Sequence, residues 1–403
     1  MKSGILELDL IFSMLNLKSQ ILTPLGILLL LISCRTALAQ EFTLLFAGDA
    51  MLHQSQIDHA RQGEAYDFSG CFRHIAPEVT HADWAFVNLE VTLAGEPYRG
   101  YPCFSAPDAY AEALQKAGFD VFLNANNHIL DRGKQGLIRT LDVLDSLGIH
   151  HTGVFRHQAE RESHYPLLLD KNGLRIAILN YTYGTNGFVA PKPVVVNYLT
   201  HEKIIEDIAR AKAMQPDLII ALVHWGEEYK LHPNAAQKRM ADLLTTEGVD
   251  LVIGSHPHVV QPSEATATAD GLIDHLVVYS LGNLISGMVA PNTEGGQIVK
   301  VVVEKDDNHT QIKSAGYMLI YRHKYKEGGC LRYEVIPVSL AETPDYPLER
   351  EGSIGLDFES YKKMTRFAAN ARSLLNKHNE GVPEYKFRIE QTEKAPTEKY
   401  TFN

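Results

Sequence analysis

Carboxylate, amide and imidazole side chains follow several apolar segments of the chain, each at the point where an apolar run ends. The residues with this placement are Asp49, Glu90, Asn127, His128, His224, His256 and His258. Carboxylate oxygens, amide oxygens and neutral imidazole nitrogens form a mixed ligand set that suits Mn²⁺, Zn²⁺ or Fe²⁺ better than Ca²⁺, which prefers oxygen alone. No cysteine belongs to the set, which argues against a structural zinc site. The set therefore predicts a site for one or two divalent metal ions.

The placement of the histidines gives this prediction its weight. A single Asp or His at the end of a strand is most often a turn former or a surface residue. The chain contains 18 histidines, and the four in this set all lie at, or within a few residues of, the end of an apolar run. Other histidines lack this placement and are expected to be ordinary, among them His59, His74, His81, His157 and His323.

Local spacing suggests how some of these side chains would work together. His256 and His258 are two residues apart, so an extended segment would place both imidazoles on one side of the chain. A carboxylate between two cations can bridge them, and such a pair can generate hydroxide and stabilise a displaced oxygen. Asp131 closely follows His128. It is interpreted either as the acceptor of the second N–H of the His128 ring or as the N-cap of the following helix.

The chain from residue 41 to about residue 281 provides elements that could bring these side chains together. Apolar runs predict strands at 42–47, 84–89, 121–124, 175–181, 218–224, 251–254 and 276–281, several of them apolar throughout, as expected for strands covered on both faces. Amphipathic stretches between them predict helices at 107–117, 135–147, 202–214 and 235–247. This alternation predicts a layered α/β fold, in which the carboxyl ends of the strands converge on one edge where ligands bind.

The pattern of the chain changes beyond residue 296. Segments 298–304, 311–321 and 330–338 predict consecutive strands joined by polar turns, and therefore a C-terminal antiparallel β extension. A helix is predicted near 358–376, and the stretch from about residue 381 is expected to be a solvated tail. The resulting division of the chain is a signal segment at 1–39, a main domain at 40–340, and a C-terminal helix with a polar tail at 341–403.

The N-terminus has the pattern of an export signal. Lys18 precedes an apolar run at 21–32, and the small residues Ala37 and Ala39 mark a cleavage point after Ala39. A second interpretation is a lipoprotein signal in which Cys34 is acylated and holds the protein at a membrane, and a third is an uncleaved anchor. All three interpretations predict that the folded part works outside the cytoplasm, in the periplasm or at the cell surface, with membrane contact only through the signal or a lipid on Cys34.

Composition limits the possible partners of the protein. The 403 residues include 38 Lys+Arg and 49 Asp+Glu, which gives a formal net charge of −11. This acidic balance argues against nucleic acid as a partner. It would also repel a long anionic polymer, so binding one would need a local cationic rim. Side chains in loops near the motifs that could supply such a rim are Arg99, Arg132, Lys134, Lys192 and Lys230.

The four cysteines, at positions 34, 71, 103 and 330, are too few and too scattered for a disulfide scaffold. In an oxidising compartment Cys71 and Cys103 could pair and leave Cys330 free. Buried free thiols are an equally good interpretation, because cysteine is often buried as a thiol. The sequence leaves this choice open.

Six motifs, in order and spanning residues 42–283, resemble the CapA family of poly-γ-glutamate capsule-synthesis proteins, which is similar to the calcineurin-like metallophosphoesterases. The motifs are Gly48-Asp49-Ala50-Met51, Asn88-Leu89-Glu90, Asn126-Asn127-His128 with Asp131, His224-Trp225-Gly226, Gly254-Ser255-His256-Pro257-His258 and Ser280-Leu281-Gly282-Asn283. The resemblance implies a four-layer α/β/β/α sandwich of the metallophosphoesterase type, with a metal site at its rim.

The resemblance also implies roles for individual residues. The phosphoesterase pattern would place Asp49 and His258 on one metal ion and make Glu90 the bridge to a second ion. The ligands of the second ion alone would be Asn127, His224 and His256. His128 would be the acid that protonates a leaving group, or the positive partner of developing charge.

The sequence departs from the phosphoesterase pattern at two positions. That pattern has Asp-x-His in its first motif, whereas here Met51 stands two residues after Asp49 and His53 lies further along. Glu90 stands where phosphoesterases carry Asp, which lengthens the bridging ligand by one methylene. Both departures fit CapA-like sequences and argue against ordinary phosphatase activity.

Three functions remain open from the sequence. The first is a metal-dependent hydrolase or transferase that acts on an exported anionic polymer or peptide, such as the γ-glutamyl amide of polyglutamate. The second is a phosphoesterase. The third is a non-catalytic accessory protein that helps the subunits of a membrane polymer synthase to assemble or export polymer.

Overall fold

The computed structural model describes residues 39–307, 309–327, 330–343 and 356–387. Residues 41–304, together with the described residues from 310 onward, form one compact unit, and a second unit contributes only residues 39–40 and the described part of 305–309. The predicted export signal and its Cys34 lie outside the described residues, apart from Ala39. Within the described ranges, no helix has the length and apolar content needed to cross a bilayer.

A strand is present at every predicted apolar run, and four of the further short strands form two separate two-stranded sheets. The bounds of the strands are β1 Gln40–Ala50, β2 Arg61–Gln62, β3 Ala65–Tyr66, β4 Trp84–Leu89, β5 Val121–Leu123, β6 His150–Thr152, β7 Val154–Phe155, β8 Leu167–Lys171, β9 Leu174–Thr182, β10 Val195–Val196, β11 Leu218–His224, β12 Leu251–Ser255, β13 Val260–Ala267, β14 Ile273–Leu281, β15 Asn283–Ile285, β16 Gly295–Lys305, β17 Thr310–Glu327 and β18 Cys330–Pro337.

The helices lie mostly between these strands. Their bounds are α1 Gln54–Ala60, α2 Ala76–Thr80, α3 Asp108–Lys116, α4 Gly133–Ser146, α5 Gln158–His164, α6 His201–Ala213, α7 Ala235–Thr246, α8 Val338–Ala341 and α9 Phe358–His378. Glycines end several of them. Gly118, Gly148 and Gly248 follow α3, α4 and α7 with positive φ, the conformation that lets a chain leave a helix without steric cost.

The large sheet has the strand order β6-β5-β4-β1-β16-β17-β14-β12-β11-β9-β8. It has two halves, and within each the central strands run parallel: β1 with β4 and β4 with β5 in the first half, β9 with β11 and β11 with β12 in the second. Strands β14 and β17 are antiparallel, and their described pairing consists of one position, Ile273 with Ile312. The sheet can therefore fold over at this narrow junction.

Alternation along β1 shows how the layers stack. Leu44 lies in a core that also contains Ile220 of β11, so this face of the first half looks at the second half. Leu45, one residue further, lies in a different core with Leu114 of α3. Because successive strand residues point to opposite faces, the first half is covered by helices on one side and by the second half on the other.

The second half of the sheet has the same arrangement in reverse. Ile220 faces the first half, whereas its neighbour Ile219 packs in a third core with Ile208 of α6 and Leu244 of α7. The order of layers is therefore helices, first half, second half, helices. This confirms the predicted four-layer α/β/β/α sandwich.

The strands predicted as an antiparallel extension form an antiparallel pair, β17 with β18. They are not an extension at the edge of the domain. Strands β16 and β17 lie in the middle of the large sheet, between β1 and β14. The stretch predicted as a solvated tail also differs, because residues up to 387 dock on the sheet. Val382 is buried, and the N–H of Tyr385 donates to the carbonyl of Tyr317 at 2.8 Å.

Cys71 and Cys103 are free thiols in the structure, so the disulfide considered from the sequence does not form. Burial raises the pKa of the Cys71 thiol to about 12. The thiolate is the reactive form of cysteine, and it is therefore strongly disfavoured at this position.

Aspartates extend the parallel ladders at the amino ends of four strands. Each aspartate donates its backbone N–H to the carbonyl of a partner residue in the adjacent strand. The backbone N–H of that partner residue donates in return to the aspartate carboxylate, at 2.7–2.9 Å. The pairs are Asp83 with Thr43, Asp120 with Ala85, Asp217 with Arg175 and Asp250 with Ile219. These bonds satisfy backbone donors that would otherwise have no partner at the strand ends.

Asp250→Asn should stabilise the protein at neutral pH. Burial raises the pKa of Asp250 from 3.8 to about 6, so folding favours the protonated carboxyl and wild-type stability falls as the pH rises from about 4 to 6. The asparagine amide oxygen can still accept from the N–H of Ile219 but carries no charge. We expect no more than about 3 kcal/mol of added stability at pH 7.5 and little difference near pH 4, measured by urea unfolding at both values.

Asp242→Asn, on the exposed face of α7, is the matched control for removing a negative charge. Its free energy of unfolding should differ little from wild type at either pH. An Asp250→Asn variant that is no more stable than wild type at pH 7.5 would show that the buried carboxylate carries no penalty.

Candidate metal centre

The candidate site lies where the carboxyl ends of both halves of the sheet meet. Asp49 is near the end of β1, Glu90 directly follows β4, and His224 is the last residue of β11. Strand β15 follows β14 and pairs with β1 at Asp49 and Asn283, which ties the two halves together at this edge. Strand ends of both halves thus deliver polar side chains to one point.

Asp49 is fully buried and has three hydrogen-bond partners. The Asn88 amide donates to Oδ1 at 2.7 Å, His258 Nδ1 donates to Oδ2 at 3.1 Å, and the backbone N–H of His256 reaches Oδ2 at 3.3 Å. Burial alone would raise the pKa of Asp49, but the hydrogen bond and charge of His258 outweigh it and hold the pKa below its usual range. Asp49 is therefore an ionised carboxylate within the cluster.

Glu90 is at the centre of the cluster. Its Oε1 lies 3.5 Å from His224 Nε2 and 3.7 Å from His258 Nε2, yet it has no hydrogen-bond partner. Burial raises the pKa of Glu90 well above its usual range, and the nearby Asp49 carboxylate adds to the effect. A buried carboxylate in this position needs a positive charge beside it.

Two imidazoles of the cluster, those of His224 and His256, are held in the neutral form. Burial and the neighbouring His256 lower the pKa of His224 well below its usual range. Burial and the neighbouring His258 lower the pKa of His256 to about 3. Neutral imidazole is the form that binds metal ions, so these rings are ready ligands at physiological pH. The Asn127 amide oxygen lies 2.9 Å from His224 Nε2, which brings this predicted residue into the same cluster.

His256 and His258 meet in a way that differs from the sequence-based expectation. The segment is not extended: both residues have positive φ, +101° at His256 and +59° at His258. Their ring centroids are 5.8 Å apart at an angle of 61°. A bend, rather than strand alternation, therefore brings both rings to the cluster, and the unfavourable φ of His256 is a local strain of the kind that clusters at functional sites.

The ligand atoms form two groups that share one carboxylate. Glu90, His224 and His256 offer atoms within 4.8 Å of one another, and so do Asp49, Glu90 and His258. Three buried atoms in these groups lack any hydrogen-bond partner: Glu90 Oε1, His256 Nδ1 and His258 Nε2. Unpaired buried polar atoms are costly, and divalent cations held by the two groups would satisfy them. The cluster is thus compatible with divalent metal binding.

His128 lies beside the cluster and is held by Asp131. His128 Nδ1 is 2.8 Å from Asp131 Oδ2, which also accepts from the backbone N–H of Phe104 at 2.8 Å. Helix α4 has Arg132 as its N-cap, so the geometry favours the interpretation of Asp131 as the partner of His128 over that of a helix cap. This contact leaves Nε2 of His128 as the ring nitrogen that can exchange a proton.

Met51 and His53 do not complete the first motif. Met51 is buried in the core between the first half of the sheet and its helices. His53 Nδ1 accepts from the N–H of Gly287 at 3.0 Å, and His53 belongs to none of the ligand groups found among the described residues. Burial and the nearby His258 lower the pKa of His53 to about 4.

Two residues near the cluster were not selected from the sequence. Tyr183 covers the His256 ring with centroids 4.5 Å apart, and an oxygen of Glu228 lies within 4.8 Å of ligand nitrogens of His256 and His258. Both follow a strand end, Tyr183 after β9 and Glu228 after β11. Their position after strand ends is the signal that could have found them.

The four layers, with buried carboxylates and imidazoles at the strand ends, define the class of protein: a four-layer α/β/β/α sandwich with a candidate metal centre at the strand ends. The chain belongs to the family described as bacterial capsule synthesis protein PGA_cap, whose model matches residues 43–288, more than half of the chain. This confirms the family resemblance stated from the motifs.

Curated relatives carry capsule-related names. The chain is 27% identical over 286 residues to "Capsule biosynthesis protein CapA" of Bacillus anthracis, covering 68% of this chain and 66% of that protein. It is 29% identical over 245 residues to "PGA biosynthesis protein CapA" of Bacillus subtilis, covering 60% of this chain and 56% of that protein. The chain thus matches less than two thirds of the length of either relative.

More distant similarity extends to other bacteria and to solved structures. A "Probable polyglutamine synthesis accessory protein" of Mycobacterium tuberculosis is 27% identical over 202 residues, covering 46% of this chain and 53% of that protein. Among solved structures, the calcineurin-like phosphoesterase YfkN of Bacillus subtilis superposes with a TM-score of 0.42 at 13% identity, covering 83% of this chain and 99% of that chain.

Binding of a divalent cation should release a proton from Glu90. Because burial and Asp49 raise the pKa of Glu90, the protonated carboxyl is favoured in the free site, whereas the cation requires the carboxylate. Metal affinity should therefore rise with pH. Calorimetric titration with Mn²⁺ in two buffers of different ionisation enthalpy measures the released proton, which we expect at about one per site.

Glu90→Gln cannot release this proton and should bind Mn²⁺ at least about 10-fold more weakly. Asp108→Asn, whose carboxylate pairs with Arg139 away from the cluster, is the control and should match wild type. Binding heats that are the same in both buffers for the wild-type protein would contradict the assignment of the proton to Glu90.

Proposed function

We propose that the protein is a divalent-metal-dependent hydrolase or transferase of capsule polymer metabolism, acting on the γ-glutamyl amide of polyglutamate or a related peptide. The observation that carries the proposal is the set of three partnerless buried atoms, on Glu90, His256 and His258, that point into one cluster. Family membership and the capsule-related names of the relatives support the polymer.

In this proposal Glu90 would contribute to the sites of two ions, and Asp49 and His258 would help to hold the first. Asn127, His224 and His256 would hold the second. The mixed oxygen and nitrogen set suits Mn²⁺, Zn²⁺ or Fe²⁺. When bound, such ions would polarise a carbonyl oxygen and make water at the site a better nucleophile.

The chain's own residues would handle orientation and proton transfer. His128, fixed through Nδ1 by Asp131, would present Nε2 to the leaving amine as a general acid. Its ring packs edge-on against Phe104 with centroids 4.7 Å apart, which limits how it can turn. Tyr183, half-exposed over His256, would form one wall of the entrance.

An anionic polymer needs positive charge near this entrance. The five side chains expected to provide it, Arg99, Arg132, Lys134, Lys192 and Lys230, are exposed or half-buried, and none forms an ion pair with another described residue. They are therefore available to an anionic substrate. We further propose that the protein works outside the cytoplasm, delivered by the signal at 1–39 or held there by a lipid on Cys34, near the subunits of a membrane polymer synthase.

A second candidate function is a non-catalytic accessory role in polymer assembly or export. The name of the mycobacterial relative, a probable synthesis accessory protein, favours it. The buried position of Met51, where phosphoesterases carry a ligand, leaves phosphoester hydrolysis as the weaker catalytic alternative.

Hydrolysis of γ-glutamyl peptides with added Mn²⁺ or Zn²⁺ tests the catalytic proposal. His128→Ala should lower kcat by about 10²- to 10⁴-fold while bound metal stays unchanged, because its proton is lost but no ligand is. His256→Ala should lower both bound metal and turnover. His201→Ala, an exposed histidine at the start of α6, is the matched control and should behave like wild type.

Equal, metal-independent turnover in all these proteins would overturn the catalytic proposal. Metal-dependent turnover of a phosphodiester, with none of the γ-glutamyl peptide, would support the phosphoesterase alternative instead. Less than one bound metal per chain by elemental analysis, together with His128→Ala and His256→Ala variants that still support capsule formation, would support the accessory role.

A further inference from the structure

The loop after β11 brings a third carboxylate to the solvent side of the cluster. Glu228 is exposed, and one of its oxygens lies within 4.8 Å of ligand nitrogens of His256 and His258. Both imidazoles are buried, and each has a ring nitrogen without a hydrogen-bond partner, Nδ1 of His256 and Nε2 of His258. Glu228 is thus the exposed member of a group whose other two members are buried and incompletely satisfied.

Backbone hydrogen bonds hold Glu228 in this position. The N–H of the next residue, Tyr229, donates to the carbonyl of Pro257 at 2.8 Å, which fastens the loop to the bend that contains His256 and His258. The carbonyl of Lys230 accepts from the Gln261 amide at 2.8 Å. Gly226 begins the loop with φ of +91°, and a Cβ there would lie 2.7 Å from the Gln237 side chain.

Neither residue that follows Asp49 in the first motif, Met51 or His53, joins the ligand group that contains Asp49. Asp49, Glu90 and His258 form that group, and the next candidate along the chain, Met51, is buried in the core. His53 is bonded to the backbone of Gly287 instead. Among the described residues near the cluster, Glu228 supplies the additional carboxylate from a different strand end.

We propose that Glu228 is a further metal ligand, which closes the metal centre on its solvent side between His256 and His258. This inference rests on the metal site of the proposed function. A carboxylate at this position adds an oxygen ligand to the two buried imidazoles. Since the residue is exposed and reached from solvent, the ligand can be tested without disturbing the core.

Glu227 provides a matched control one residue away. It is also an exposed glutamate of the same loop, but its Oε1 accepts from the Asn234 amide at 3.2 Å, and it belongs to none of the ligand groups found among the described residues. Glu227→Gln and Glu228→Gln remove the same charge from the same loop. A difference between them therefore reports ligation rather than general electrostatics.

The test is calorimetric titration of the full chain with Mn²⁺, with bound metal counted by elemental analysis after dialysis. Glu228→Gln should lose one equivalent of Mn²⁺ or bind it about 10- to 100-fold more weakly, whereas Glu227→Gln should match wild type. The contrast should persist in 0.5 M NaCl, which screens charges that act at a distance. Circular dichroism of each variant confirms that the fold is retained.

Each outcome has a distinct meaning. Glu228→Gln that binds Mn²⁺ like wild type overturns this inference and leaves the metal proposal standing. Mn²⁺ affinity that is weakened equally in both variants, with the difference from wild type disappearing in 0.5 M NaCl, also overturns the inference. The effect would then come from the charge of the loop and not from ligation. A wild-type protein that binds no Mn²⁺ overturns the proposed function itself. Loss confined to Glu228→Gln supports the inference.

Discussion

The constraint on which the rest of this structure depends is the charge of one buried carboxyl group. Glu90 has no exposed surface, and its Oε1 has no hydrogen-bond partner. Its neighbours include another carboxylate, Asp49, and the imidazole of His224, which burial holds in the neutral form. Without a cation the protonated form of Glu90 is favoured, and with a cation Glu90 would be the ligand that two groups of side chains share. The cluster is thus suited to binding a cation.

The surroundings of the cluster explain how such a group is tolerated. Side-chain amides, rather than water, are the hydrogen-bond partners of backbone groups near the strand ends. The Asn126 side-chain NH₂ donates to the carbonyl of Leu89, and the Asn126 amide oxygen accepts from the N–H of His128. Asn180 of β9 accepts from the N–H of Ala125 at 2.9 Å and so links the second half of the sheet to the first. These amides fix the backbone from which the candidate ligands project, so the cluster keeps its arrangement even without an ion.

Much of this arrangement could be predicted from sequence, because strands buried on both faces are continuous apolar runs whose ends are marked by polar residues. The predicted bounds of Trp84–Leu89 and Leu218–His224 match the structure for this reason. The bend at His256 could not be predicted, since no local pattern signals positive φ in a residue other than glycine. The docking of residues up to 387 was missed because Val382, Tyr385 and Phe387 are spaced among polar residues without a strand or helix period, and the partner of Tyr385, Tyr317, is distant in sequence.

Glu228 shows the limit of local patterns most clearly. It stands next to Glu227 in a polar loop, and nothing in the sequence separates the two; only the contact of Tyr229 with Pro257 turns one of them toward the cluster.

The negative charges of the cluster also affect the binding of the proposed substrate. Without a cation, Asp49 is ionised and the protonated form of Glu90 is favoured, so a metal-free site carries negative charge and would repel the anionic polymer of the proposed function. Two divalent cations would carry four positive charges against at most three negative charges on Asp49, Glu90 and Glu228, and would reverse the sign of the site. In the proposed function, metal binding would therefore be a condition for admitting the polymer as well as for its chemistry.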